Sequence, residues 1–313
     1  MGDGLGLVFP GQGSQYVGMG SDLSSAFPEV GRLFNEAAAV TGVDLRRLCM
    51  EGPAAELQMT VNTQPAILTV STMVWALLTA RGVKPDLVAG HSLGEYSALV
   101  AAEAISFRDA IRVVRRRAEL MQGAAEVGVG AMAAVVGLSL EDIARVCEDT
   151  AGDGVLEVAN VNCPGQVVIA GHTEAIERAS ILAKQRGAKR VQPLPVSGPF
   201  HCRLMAPATK ELASLLDQVD IRDPMVPVVA NVDADLKRDR ASVVAALVRQ
   251  LSAPVRWEAV IRRMVAEGVR TFIEVGPGRV LSGLIKRIDD TVRIGWVEDG
   301  KSLTEALTLV ETV

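Results

Sequence analysis

Histidine is scarce in this 313-residue chain. It occurs three times, as His91, His172 and His201, so any chemistry that needs an imidazole has three possible donors. Cysteine occurs four times, as Cys49, Cys147, Cys163 and Cys202, without a close C-x-x-C pair. That spacing argues against a zinc ribbon, a dithiol redox motif or a disulfide framework, and fits reduced thiols in a cytoplasmic protein. Aromatic residues make up 4%, so Ala, Val, Leu and Ile have to fill the core. An excess of positive charge is also missing. The balance of 32 Lys and Arg against 37 Asp and Glu gives −5, which excludes a general nucleic-acid binder but leaves room for a local basic patch. The N-terminus, MGDGLGLVFPG, has an acid where a secretory signal needs basic residues, and its apolar run is too short. The uncharged stretch from Leu57 to Ala80 is interrupted by Gln58, Asn62, Thr63, Gln64 and Pro65, then by Thr69, Ser71, Thr72 and Thr79. It reads as a loop followed by a buried helix, not as a membrane span. Neither repeats nor low-complexity linkers are visible.

Apolar residues at 49% and charged residues at 22% are ordinary for a soluble globular enzyme, and the length permits one large domain or two. Gly6–Phe9 is an apolar run ending in PGQGSQ, a strand and a tight loop. Helices are expected at Phe27–Val40 and Gln64–Ala80, with Pro65 in the first turn of the second. A strand at Asp86–Ala89 precedes GHSLG, and helices follow at Glu95–Ala104 and Phe107–Gln122. This alternation suggests a parallel sheet. The middle of the chain changes pattern: strand Ala131–Val136, helix Leu140–Asp149, strands Val155–Val161 and Gln166–Ala170, helix Thr173–Gly187, strand Arg190–Leu194. That β-α-β-β-α-β order is the ferredoxin-like pattern, and we read 128–197 as a small inserted domain. The first pattern then resumes with helix Arg203–Leu216, strand Pro227–Ala230, helices around 241–251 and 256–267, strand Thr271–Val275 and helix Val280–Arg287.

GHSLG, at Gly90–Gly94, fits G-x-S-x-G between an apolar strand and a helix, the context of a nucleophile elbow centred on Ser92. A sharp turn there pushes the hydroxyl outward, small neighbours avoid clashes, and the helix N-terminus behind it offers free N–H groups to a developing oxyanion. Such a serine needs a base. His91 is adjacent, and neighbouring strand residues point to opposite faces, so it reads as a packed or hydrogen-bonded core residue. His172 lies just before a helix in the inserted segment, where a surface or cap position is expected. His201 follows PLPVSGPF, an irregular segment re-entering the main domain, and is the candidate base. A third acid is not recognisable. Asp109 starts a helix, and Asp142, Asp149 and Asp153 fall inside the insert, so a Ser–His dyad oriented by a main-chain carbonyl is expected.

In the Phe107–Gln122 helix, Ala110, Val114, Ala118 and Met121 form an apolar face, and Arg117 falls on it; Arg112, Arg116 and Glu119 lie on the solvated side. A buried guanidinium needs a partner. Sequence leaves two candidates open: an internal Asp or Glu, or the free carboxylate of a substrate such as a malonyl group.

Six spaced motifs carry a resemblance over nearly the whole chain: PGQGSQ, GHSLGEYSAL at 90–99, the arginine four residues before Met121-Gln122, PVSGPFHC at 195–202, LVRQLSAPVRW at 247–257 and EVGPG at 274–278. Together they resemble the bacterial malonyl-CoA:acyl carrier protein transacylases. The resemblance implies an α/β-hydrolase-like core with a parallel sheet, formed by 1–127 and 198–313, and a ferredoxin-like insert at 128–197. It implies Ser92 as nucleophile, His201 as base, Gln12 and Leu93 as donors of oxyanion N–H groups, Arg117 as the malonyl carboxylate site, and Gln250 as the residue whose carbonyl orients the histidine. Phe200 is similar to malonyl-selective members. The implied partners are malonyl-CoA and acyl carrier protein, with no metal and no bound cofactor, and a monomer in the cytoplasm serving fatty acid biosynthesis. A transferase for polyketide synthesis, a thioesterase and a non-catalytic carrier-binding subunit are the alternatives. An acidic carrier could be steered by the basic strip KQRGAKR at 184–190 with Lys286 and Arg287; solvated charge at helix ends is the plainer account.

Overall fold

In the computed structural model of the chain, which describes residues 3–124, 128–196 and 198–312, strand β1 (Gly4–Phe9) is followed by α1 (Ser21–Ala26), α2 (Pro28–Thr41), α3 (Leu45–Glu51), α4 (Ala54–Gln58) and α5 (Thr60–Thr79). Next come β2 (Leu87–Gly90), α6 (Gly94–Ala101) and α7 (Phe107–Gly123). The central segment holds β3 (Gly130–Val136), α8 (Leu140–Thr150), β4 (Leu156–Cys163), β5 (Gln166–His172), α9 (Thr173–Gln185) and β6 (Arg190–Pro193). The remainder is α10 (Ala206–Asp217), β7 (Val228–Val229), β8 (Leu236–Lys237), α11 (Arg240–Gln250), α12 (Trp257–Ala266), β9 (Val269–Val275), α13 (Val280–Ile288), β10 (Arg293–Val297) and α14 (Gly300–Val310).

The described residues form two sheets. The larger runs β10-β9-β1-β2-β7-β8, parallel throughout except for the β7–β8 pair. The smaller is antiparallel, in the order β4-β5-β3-β6, with α8 and α9 packed on it. This is the expected α/β class, with a parallel sheet and a ferredoxin-like second sheet. The domain limits at 127/128 and 197/198 involve residues outside the described ones. The smaller sheet is tied to the segment just before α12, where Val255 pairs with Asn160 of β4: Val161 N–H donates to Val255 O and Val255 N–H to Ala159 O, each at 2.9 Å.

Register explains where the site lies. Phe9 of β1 pairs with Gly90 of β2, Val8 with Glu274 of β9, and Ala89 of β2 with Val229 of β7. The loops carrying Gln12, Ser92, Asn231 and Gly276–Gly278 therefore leave the sheet along one C-terminal edge, the usual ligand edge of a parallel sheet.

Three expectations need correction. The stretch after Leu57 is helical, since α5 begins at Thr60, and Pro65 lies inside the helix and not in its first turn. Pro65 lacks the N–H that would bond Val61 O, and the Arg115 guanidinium supplies a donor there at 2.9 Å. Helix α5 is long and apolar enough to cross a membrane, but most of it is buried against α2, α6 and α7, which accounts for its all-round hydrophobicity. Finally, α1, α3, α4, β8, β10 and α14 were not expected. Five of them are short; α14 is longer and amphipathic, with Leu303, Ala306, Leu307 and Val310 at helical spacing, and it starts at the Asp299–Ser302 capping box.

Candidate active site

Ser92 occupies the turn between β2 and α6 with φ 51°, a left-handed conformation rare for a residue bearing a side chain. Glycines make the turn possible. A Cβ on Gly90 would lie 1.8 Å from Gly94 C, and one on Gly94 would lie 2.0 Å from Phe9 O. His201 is likewise left-handed, at φ 61°, in the loop before α10. Two strained residues meeting in one place mark a functional site, because each conformation costs on the order of 1–3 kcal/mol and persists only where its surroundings enforce it.

Ser92 Oγ lies 2.7 Å from His201 Nε2. The other ring nitrogen, Nδ1, is 2.9 Å from Gln250 O, a position only an N–H can use. In the neutral ring this fixes the tautomer, with the Nε2 lone pair facing the hydroxyl. Burial, and then the nearby Arg117 cation, lower the His201 pKa to about 3. Gln250 O stands where a third acid would otherwise be.

Arg117 is fully buried on α7, on the face shared with Ala110, Val114, Ala118 and Met121. Its Nη1 donates to Gln64 Oε1 at 2.8 Å, and its Nη2 to Gln250 Oε1 at 2.8 Å and to Ser92 Oγ at 3.1 Å. Among the described residues its Nε has no hydrogen-bond partner, and its guanidinium carbon is 5.5 Å from the centroid of the Tyr96 ring. Among the described residues no Asp or Glu forms an ion pair with it, so of the two partners left open above, the internal one is not found. The cation stands beside the hydroxyl with amides, not carboxylates, as its ligands.

Gln12 and Leu93 line the same small cavity of about 80 Å³ as Ser92 and His201, together with Met132, Asn160 and Phe200, so strands of the small sheet and loops leaving the large one both contribute walls. Neither the Gln12 nor the Leu93 main-chain N–H donates to another described residue. A wider cavity of about 450 Å³, walled by Tyr16, Val17, Leu57 and Pro195, shares Gln12, Leu194 and Val196 with it and opens outward.

The other candidates fall elsewhere. His91 bonds Asn162 Oδ1 through Nε2 at 2.9 Å and stacks obliquely on Trp257, as a packed core histidine should. His172 Nδ1 accepts the Val155 N–H at 2.9 Å, tying β5 to the start of β4. The cysteines are all buried and unpaired, and burial pushes the Cys202 thiol up to about 11, far from a reactive thiolate. The basic strip lies at the Arg190 end of β6, the end remote from the Leu194–Val196 cavity wall; within it Arg186 pairs with Asp149, while Arg287 bonds Gln166 and Pro164. Among the described residues no cluster of His, Cys, Asp and Glu could hold a metal ion.

The structure adds residues that sequence reading missed. Asn231, fully buried after β7, accepts the Ser92 N–H through Oδ1 and donates to Gly90 O through Nδ2, both at 2.6 Å. Glu95, in the first turn of α6, accepts the Asn231 N–H and the Gln250 Nε2, both at 2.9 Å. An acid inside the apolar start of a helix was a visible signal for Glu95. Asn231 and Gln64 carried none.

A serine elbow on a parallel sheet, paired with a neutral imidazole, defines an acyl-transfer site, and the family model described as acyl transferase domain matches residues 7–306; the chain belongs to that family. It is 48% identical over 304 residues to the malonyl CoA-acyl carrier protein transacylase of Bacillus subtilis, covering 97% of this chain and 96% of that one. Its structure is similar to the crystal structure of an acyl carrier protein S-malonyltransferase from Vibrio cholerae, with a TM-score of 0.94, 48% identity, and coverage of 97% and 100% of the two chains. It is also similar to a malonyl-transacylase in complex with its type II PKS acyl-carrier protein, with a TM-score of 0.96, 47% identity, and coverage of 98% and 100%.

Proposed function

We propose that this chain moves a malonyl group from malonyl-CoA to the phosphopantetheine thiol of an acyl carrier protein through an ester on Ser92, in the cytoplasm, for fatty acid or polyketide synthesis. The observation that carries this reading is Arg117: a buried cation 3.1 Å from Ser92 Oγ with amide ligands and, among the described residues, no ion-paired carboxylate. It awaits the free end of a diacid.

In this mechanism His201 Nε2 takes the hydroxyl proton as Ser92 Oγ attacks the thioester carbonyl. The Gln12 and Leu93 N–H groups receive the carbonyl oxygen as it becomes an oxyanion. The tetrahedral intermediate collapses, and the coenzyme A thiolate leaves with the proton held by His201. Gln250 O keeps Nδ1–H in place throughout. The malonyl carboxylate on Arg117 neutralises the cation that depresses His201, so the bound substrate makes its own base stronger. In the second half the carrier thiol enters by the wider cavity, gives its proton to His201 and attacks the ester, and Ser92 leaves as the hydroxyl. None of these steps calls on a metal or a resident cofactor. Residues 1–127 with 198–313 form the domain carrying Ser92, His201 and Arg117, and 128–197 forms the inserted domain that narrows the cleft against water.

Intact mass of the protein after incubation with malonyl-CoA tests the reading. The wild type gains one malonyl group and passes it to added carrier, and Ser92→Ala gains none. A wild-type protein that stays unmodified, or that releases free malonate as fast as it transfers, sinks the proposal.

A further inference from the structure

Arg117 has a counter-charge one amide away. The Gln250 side chain stands between two ions, its Oε1 accepting from Arg117 Nη2 at 2.8 Å and its Nε2 donating to Glu95 Oε2 at 2.9 Å. Glu95 is 2% exposed and Gln250 is fully buried, so water screens this pair little. The same Glu95 oxygen accepts the Asn231 N–H, and Asn231 clasps the elbow at Ser92 N and Gly90 O. Glu95 is thus held rigidly at a fixed distance from the cation that faces the reacting hydroxyl.

We propose that Glu95 is a specificity-determining residue of this site, whose carboxylate offsets the Arg117 charge across the Gln250 amide and so limits how tightly a substrate's free carboxylate is held. The inference rests on the malonyl-transfer reading. Its physical reason is that the acyl group has to leave again in the second half of the reaction. An unopposed buried guanidinium would hold the diacid more tightly in every state, which lowers the substrate requirement without accelerating the chemistry.

The charged and titratable groups facing Glu95 are Arg117 from α7 and Asp233 after β7, the latter itself paired with Lys237 and Arg249. Tyr96 adjoins it on α6, and His201 lies on the far side of Ser92. Burial raises the Glu95 pKa to about 7, against the pull of the Asn231 N–H, the Gln250 amide and Arg117. The offset therefore operates above neutrality and fades below it.

Single-turnover release of coenzyme A, measured with malonyl-CoA and with acetyl-CoA at about pH 6 and about pH 8, tests this. Glu95→Gln keeps an oxygen for the Asn231 N–H and removes the charge. At the higher pH its apparent dissociation constant for malonyl-CoA falls about three- to tenfold below wild type, as expected for two charges separated by one amide in a protein interior. Acetyl-CoA is unaffected, and at the lower pH the two proteins converge. The wild type alone supplies a second arm that needs no folded variant: its malonyl-CoA constant weakens by a similar factor from the lower to the higher pH, while the acetyl-CoA constant does not. Equal constants for variant and wild type at the higher pH, or a change shared equally by both substrates, overturn the proposal. A wild type that forms no malonyl ester instead overturns the transfer reading beneath it.

Discussion

A guanidinium at zero exposure is costly unless its donors are satisfied. Arg117 meets that condition in part: Gln64 and Gln250 accept from its two Nη groups, its buried Nε has no partner among the described residues, and its charge is left uncancelled at close range. Truncating it removes the cation that contacts Ser92 Oγ. Arg117→Ala is therefore expected to lower kcat/KM for malonyl-CoA by about ten- to a hundredfold, the worth of one charge-assisted contact of roughly 1.5–3 kcal/mol, while acetyl transfer persists or rises. Steady-state assays with both thioesters check this, and an equal loss for both would identify a purely structural arginine. The position of Arg117 on an apolar helix face was legible from spacing. Its partners were not, because Gln64, Gln250 and Arg117 are separated by 53 and 133 positions and meet only through packing.

At the scale of elements, the elbow is the tightest construction in the molecule. β2 runs into α6 so closely that Phe9 O, Gly90 and Gly94 have no room for another carbon. Gly94→Ala is expected to yield little folded protein, since the clash is with main chain and cannot be relieved by a side-chain rotation. Gly283, exposed within α13, is the opposite case: a methyl group there meets nothing within 4 Å. Gly283→Ala should stabilise the protein by about 0.5–1 kcal/mol through helix propensity alone. Thermal melts of both variants test the contrast. Most helices and strands were legible because their apolar residues recur at the right period. α5 shows where that fails. Its polar residues Asn62, Thr63 and Gln64 read as loop, yet Thr63 donates to Leu57 O and Gln64 holds Arg117, so tertiary partners satisfy them inside a helix.

Over the whole molecule, buried titratable groups pull stability in two directions. His201, held near 3, contributes stability that is present above its ordinary value near 6.5 and is lost as pH falls toward 3. Glu95 and Glu274, both raised to about 7 chiefly by burial, act in the other sense: their contribution is present below the ordinary carboxylate value and is lost as pH rises through about 7. The wild-type curve mixes these terms, but a difference isolates one of them. Between about pH 7.5 and about pH 5.5 the unfolding free energy of His201→Gln should rise by about 1.4 kcal/mol relative to wild type. Urea titrations at the two pH values measure it, and no relative change would mean that the imidazole is not held neutral.

The β-α-β-β-α-β order of the middle segment, the elbow at Ser92, the choice of His201 among three imidazoles and the misplaced polarity of Arg117 all follow from the chain itself, because each depends on local period, turn chemistry or a count of residue types. Tertiary structure alone decided what those residues face. β1, β2, β7 and β9 had to align in parallel register before Gln12, Ser92 and Asn231 could share one edge. The small sheet had to dock through Val255 before the cavity had a second wall. The chain of contacts from Asn231 through Glu95 and Gln250 to Arg117 exists only in three dimensions, since hydrogen bonds among residues more than a hundred positions apart leave no periodic trace.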